Sequence, residues 1–384
     1  MTSARARRRL FATLLALGIL NHTTITGARV GVALDALDRG ASPATVGTLI
    51  ALFALLPMLF AVGVGRLSDR AGARMPMVAG SAALVAATAL PALFPGYPAL
   101  FVAAPAIGFS FVVFQVALFH ATGEIGEASK RPKRFAHLAL AYSLSGMLGP
   151  LVAGFAIDHA GHRAAFALLA AIPLVPLVVL ARWIPALPGP SGHAADAPAR
   201  GAFDLLRHPA MRRVLAINAL FSVAWDLHTV FVPIYGARIG LTASEIGMVI
   251  AVFGFATFVV RFAMPWVAAR AREAQVLGPA LFAAALAYAA FPFAADAIAL
   301  AVVSFALGLG LGAGQPMVMS LLATRAPPGR MGEVLGLRMS LVQTSAVTVP
   351  LAFGAIGATL GLLPVFWGVG ALLLGGGFLA RRGA

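Results

Sequence analysis

Stretches of about 20 apolar residues recur from one end of this chain to the other, and each is long enough to cross a hydrocarbon layer of roughly 30 Å. In that medium only helices or closed barrels satisfy their own backbone groups. Barrel strands would alternate in polarity over about 10 residues. These stretches are instead continuously apolar and rich in Ala, Leu, Gly and Val, which selects helices. Of the 384 residues, 60% are hydrophobic and 11% are charged, against about 25% charged in a soluble domain. The fold class read from the sequence is therefore an all-α polytopic membrane protein. Its twelve expected helices cover 10–37, 43–65, 75–94, 98–122, 135–157, 164–184, 211–237, 243–266, 276–294, 297–323, 334–359 and 364–380.

Charge gives these helices a direction. Of the 28 basic residues, Arg39, Arg163 and Arg238 fall on one side, and Arg29 and Arg261 fall inside helices. The remaining 23 are assigned to the side of the N-terminus. The positive-inside rule then places both termini in the cytoplasm of a multi-pass inner-membrane protein. This asymmetry accounts for the net charge of +15 without a nucleic-acid partner. The densest patch, Lys130, Arg131, Lys133 and Arg134, reads as an orientation signal beside anionic lipid. Arg5, Arg7, Arg8 and Arg9 precede the first apolar run as in a signal peptide. No small-residue cleavage site follows them, so this run reads as an uncleaved first helix. The absence of cysteine removes disulfides and thiolate metal sites.

Pro185, Pro188, Pro190 and Pro198 mark a cytoplasmic linker over 185–210. It separates an N-terminal six-helix bundle, 1–184, from a C-terminal one, 211–384. Shifting the chain by 200 residues aligns the two. Gly108 meets Gly308, Gln115 meets Gln315, and Ser145, Pro150, Gly154 and Gly161 meet Ser345, Pro350, Gly354 and Gly361. Matched Gln, Pro and Gly at one fixed offset imply a parallel duplication, with the substrate expected near the midplane between the halves.

Between the second and third helices stands Gly65-Arg66-Leu67-Ser68-Asp69-Arg70-Ala71-Gly72-Ala73-Arg74. It resembles the major facilitator signature G-x-L-x-D-R-x-G-x-[RK], at that family's expected place. The resemblance implies a secondary transporter working by alternating access, with Gly65, Asp69, Arg70, Gly72 and Arg74 as a conformational latch. Gly65 would let a backbone approach closely and Gly72 would make the tight turn. By the same resemblance Asp69 would meet the start of the eleventh helix, near Gly332 to Gly336, and Arg70 and Arg74 would pair with acids such as Glu124. At the offset of 200, Pro265 and Ala269 replace Gly65 and Asp69, so the latch is one-sided. Ser145 to Gly154 resembles the G-x-x-x-G-P-x-x-G-G pattern of drug–proton antiporters. The position of that branch's helix-four Arg, four residues before Gly108, holds Ala104.

Ionisable groups inside membrane helices are functional candidates by default. His22, Thr26 and Arg29 are spaced i, i+4, i+7 and share one face of the first helix. Asp226 and His228 lie near the middle of the seventh. Asp226, whose charged form burial disfavours and a cation such as Arg29 restores, is the first candidate for proton coupling. His22, which needs only a small shift to titrate near neutrality, is the second. Gln115, Gln315, Tyr142 and Gln343 complete the expected substrate-binding set, while Arg261 reads as snorkelling to the inner surface. The 13 acidic residues lie mostly in turns and form no catalytic pair, so no enzyme is expected. No metal site or cofactor is expected either, the proton gradient being the energy source. The partners are a small-molecule substrate and membrane lipids, and the chain is expected to act as a monomer. The function read from the sequence is proton-coupled export of a drug-like or amphipathic metabolite, with proton-coupled uptake of a small polar or anionic metabolite as the alternative.

Overall fold

A computed structural model describes residues 4–125, 127, 130–182, 202–326 and 331–381, all of them in helices or short connections. The helices are α1 Ala4–Asp38, α2 Pro43–Ala71, α3 Arg74–Leu93, α4 Tyr97–Glu124, α5 Arg131–Ala171, α6 Leu174–Arg182, α7 Pro209–Arg238, α8 Ala243–Ala268, α9 Glu273–Ala290, α10 Ala297–Arg325, α11 Met331–Thr359 and α12 Leu362–Arg381. Among the described residues eleven stretches are long and apolar enough to cross a membrane. One of them, Lys133–Arg182, is 50 residues long. As a straight helix it would measure about 75 Å, more than twice the hydrocarbon core. It breaks at Gly161, where φ is 78° and ψ is 170°, a conformation that a Cβ disfavours. The chain turns back there and crosses a second time, which makes twelve crossings. Gly361, at the offset of 200, has φ 83° and makes the same turn between α11 and α12.

Packing divides the chain into two compact units. One takes in α1 to Ala36 and then runs from Leu52 through α6. The other takes in Leu37–Ala51 with α7 to α12. The end of α1 and the start of α2, Leu37–Ala51, pack with the second unit. The cause is close backbone packing between small residues: a Cβ on Gly354 of α11 would fall 2.9 Å from the Pro43 carbonyl oxygen, and one on Gly47 would strike the Pro350 carbonyl. Residues 185–201 of the expected linker lie outside the described residues. Its end forms a 3-10 turn at Ala202–Arg207 with Leu205 fully buried.

One close helix contact recurs in both units. In the first, the backbone of α4 at Gly108 lies against the Phe53 carbonyl of α2; in the second, Gly308 of α10 lies against the Phe253 carbonyl of α8. Each pair of positions is 200 residues apart. The core of the first unit is formed by Leu14, Leu17, Met77, Phe114, Leu118 and Leu138. In the second, α10 packs on α7, α8 and α9, and α12 packs on α7 and α9.

Polar contacts define the two ends of each bundle. In the first unit Arg74 Nε and Nη2 donate to the carbonyls of Leu180 (3.2 Å) and Ala181 (2.8 Å), capping α6 where helix carbonyls lack partners. Arg131 and Arg134 do the same for α4, through Gly123 (2.7 Å) and Thr122 (2.9 Å). At the opposite end Arg163 Nε donates to Ala92 O (3.0 Å) and the Tyr97 hydroxyl to Ala36 O (3.3 Å). In the second unit the Tyr235 hydroxyl ties the end of α7 to the α9–α10 connection through Pro292 O and Ala294 O, both at 3.1 Å.

The signature segment behaves differently from its sequence reading. α2 runs on through Gly65–Arg70 to Ala71, because backbone hydrogen bonding does not stop where hydropathy falls. Gly72 makes the expected turn, with φ 73°. Gly65 faces open space rather than a neighbouring backbone. Arg74 is engaged by α6, and Glu124 pairs with Arg131 at 3.1 Å, so the expected Arg74–Glu124 pair is not formed. Arg70 is exposed. The Asp69 side chain lies outside the described residues, and with it the contact expected at the start of α11.

Candidate functional site

In the second unit, α7, α8, α10 and α11 line an open-sided cavity of about 210 Å³. Its polar walls are Asp226, Arg261, Arg338, Gln315, Ser222 and Asn218, and Trp225 and Phe221 supply aromatic surface. Apart from Ser222, whose hydroxyl donates to Asn218 O of its own helix at 3.1 Å, these polar groups are held across helices. Ser345 Oγ of α11 donates to Asp226 Oδ2 of α7 at 2.9 Å. Arg261 Nη2 of α8 donates to Gln315 Oε1 of α10 at 3.0 Å, and its guanidinium carbon lies 5.6 Å from the Trp225 ring centroid, within cation–π range. Arg338 Nε of α11 donates to Asn218 Oδ1 of α7 at 3.0 Å.

Arg338 is the residue that sequence reasoning missed. Counted with the basic residues of the N-terminal side, it stands instead about two turns inside the eleventh helix and is only 9% exposed. The signal was present, since position 338 falls inside the expected helix 334–359. Arg261 also departs from its reading: it does not snorkel away but lines the cavity between Trp225 and Gln315. Asn218, Ser222 and Trp225 were not singled out, being common membrane-helix residues whose direction only packing decides.

The expected set separates into three groups. Asp226 and Gln315 are brought together in this cavity. His228, two residues from Asp226 and so on another side of α7, is not; it is 1% exposed. Its Nε2 lies 3.2 Å from Ser304 Oγ and its ring stacks on Phe253 at 4.0 Å. Gln343 is half-buried on α11 and does not line the cavity.

The third group belongs to the first unit. His22 stacks on Tyr142 with centroids 4.4 Å apart, and its Nδ1 lies 2.6 Å from Ser145 Oγ. That hydroxyl also reaches the Ala141 and Tyr142 carbonyls, both at 3.1 Å. Thr26 donates across to the Ser145 carbonyl at 3.1 Å, so the His22–Thr26 face is turned onto α5. Thr26 and Ser145 stand 200 residues from Asp226 and Ser345. The same pair of positions thus joins the first and fifth helices of each bundle, with a carboxylate in only one of them. Gln115 is the polar group beside the buried Tyr142 hydroxyl. The Arg29 guanidinium lies over Phe53 at 5.6 Å. In the antiporter-like segment, a Cβ on Gly149 would fall 2.6 Å from both Gly27 N and Thr23 O; this segment is where α1 and α5 touch.

Twelve apolar crossings in two repeated bundles, with a carboxylate and two guanidiniums around a cavity inside the membrane-spanning helices, define a secondary transporter. A family model described as Major Facilitator Superfamily matches residues 14–350, and the chain belongs to that superfamily. It is a transporter and not an enzyme. No curated protein matches it. Solved structures share its fold at low identity. A peptide transporter of the POT family in complex with sulfate is 15% identical, with TM-score 0.81 over 97% of this chain and 93% of its own. A POT family transporter in complex with 5-aminolevulinic acid is 12% identical, with TM-score 0.81 over 96% and 95%. A bacterial homologue of the human lysosomal transporter Spinster is 15% identical, with TM-score 0.74 over 100% and 96%.

Proposed function

We propose that this protein is a proton-coupled transporter of a small organic anion or zwitterion, with Asp226 as the proton carrier and Arg338 and Arg261 as the groups that hold the cargo's anionic end. The observation that carries this reading is the cavity in which two guanidiniums face one carboxylate. With Asp226 ionised, the three charges sum to a single positive charge; protonation adds one more. An anion and a proton therefore favour each other's binding, and by linkage the coupling is reciprocal. Such a pair travels together, which favours uptake down an inward proton gradient. The 5-aminolevulinic acid and sulfate bound by fold relatives are of compatible chemistry. Trp225 and Phe221 suit a cargo with an apolar or planar portion.

Export of an amphipathic compound is the second reading. It is favoured by the likeness of Ser145–Gly154 to the antiporter pattern, whose glycine here brings α1 and α5 into contact. In both readings the protein lies in the inner membrane with both termini cytoplasmic, works as a monomer by alternating access, and uses the Gly65–Arg74 segment to favour one state. Its halves divide near the 185–210 segment, and His22, beside Tyr142 and Gln115, is a second site of proton exchange.

The test begins with small carboxylates screened for thermal stabilisation of the purified protein. Those that bind are then followed in proteoliposomes under an imposed pH gradient. Accumulation on the alkaline side, retained as gradient-independent counterflow in Asp226→Asn, is the expected result. Accumulation on the acid side would establish antiport and remove the uptake reading.

A further inference from the structure

The second unit holds another cavity, of about 200 Å³, at the end where α7 and α9 begin and α10 and α12 finish. Its wall is apolar and buried, built from Val214, Ile217, Leu277 and Leu321, which are 1–8% exposed. Its rim carries Arg213, Arg272 and Arg325 with one acid, Glu273, and these charged residues are half-buried or exposed. Glu273 is turned toward α10, where its Oε1 accepts from Ser320 Oγ at 2.7 Å and where it feels the charge of Arg325. The rim keeps an excess of two positive charges.

The depth of the cavity is fixed by the helices around it. The membrane-crossing stretches Pro209–Arg238, Gln275–Phe293, Ala297–Leu322 and Leu362–Arg381 all begin or end within a few residues of its lining. It therefore sits at the boundary between hydrocarbon and headgroups. A soluble anion would use the rim and leave the apolar wall uncovered. An amphiphile with an anionic head would cover both.

We propose that this cavity binds an anionic phospholipid, with the phosphate at Arg213 and Arg272 and the glycerol and upper acyl carbons against Val214, Ile217 and Leu321. The site is separate from the transport cavity and does not depend on what the transporter carries. An orientation signal alone would need basic residues at this end, but not an apolar wall beneath them.

Native mass spectrometry of the delipidated full-length protein, with phosphatidylglycerol against phosphatidylcholine, tests this. The wild type should retain phosphatidylglycerol preferentially. Arg213→Gln with Arg272→Gln should lower that preference by about tenfold or more, on the order of fivefold for each basic residue near an anionic surface. The matched pair Arg213→Lys with Arg272→Lys should restore it. Leu321→Trp, which fills the cavity and leaves every arginine in place, should also lower it, which decides the matter even where the glutamine pair does not fold. Equal retention of the two lipids by the wild type overturns the proposal, as does a preference undiminished in Leu321→Trp. Competition by inorganic phosphate as effective as that by the lipid also overturns it, by assigning the rim to a free anion.

Discussion

At the scale of single residues, the cavity in the second unit depends on buried polar groups that hold one another. Asn218 is 3% exposed and supplies the acceptor for Arg338 Nε. Replacing it by Leu leaves a buried cation without its side-chain acceptor, a loss of about 1–3 kcal/mol. Denaturant unfolding in detergent should show that destabilisation, whereas Arg338→Gln, which removes the charge itself, should be tolerated better. Transport should rank the two variants in the opposite order. Loss of a charge-assisted hydrogen bond to cargo costs about 1.5–3 kcal/mol, so Arg338→Gln should raise KM for an anionic cargo by roughly tenfold to a hundredfold. An unchanged KM would take Arg338 out of cargo binding.

At the scale of helices, small residues set how closely the elements approach. α1 and α5 meet at Gly149, where no Cβ fits against Gly27 N and Thr23 O. Gly149→Leu should cost at least the 1–3 kcal/mol typical of overpacking, and size-exclusion profiles should show loss of folded protein. Gly63→Ala, at a position with open space around it, is the matched control and should behave as wild type. The start of α9 carries a pH-dependent term. The hydroxyl of Ser320, first, and then backbone donors hold the Glu273 carboxyl below its ordinary value. A depressed carboxyl adds stability above its unfolded value, about 4.3, and loses it as pH falls through the folded one. Wild type should therefore melt slightly above Glu273→Gln at pH 7. The two should converge as the pH drops below about 4.

At the scale of the whole molecule, the absence of cysteine makes orientation directly measurable, since any introduced thiol is the only one. Arg39→Cys and Arg238→Cys should react with an impermeant maleimide from outside intact cells. Arg270→Cys and Arg325→Cys should react only after the membrane is opened. The reverse pattern would invert the topology that the basic residues imply. The contacts already sort the charges by end within the first unit, with Arg74, Arg131 and Arg134 capping helices at one end and Arg163 at the other.

Hydropathy by itself determined that the chain crosses the membrane twelve times as helices, because no other backbone arrangement of such residues survives without water. The offset of 200 determined that the two halves share one plan, and the structure repeats it where Gly108 packs on Phe53 and Gly308 on Phe253. The site was only half legible. Asp226 and Gln315 stand out as polar residues in apolar runs, but His228 stands out equally and is turned to Ser304 instead. Arg338 was hidden because a charge near the end of a helix looks like a loop charge until packing buries it against Asn218. Sequence spacing fixes the face of a helix on which a side chain lies. Which neighbour that face meets, and so whether the side chain lines a cavity or locks two helices together, is decided only when the helices pack.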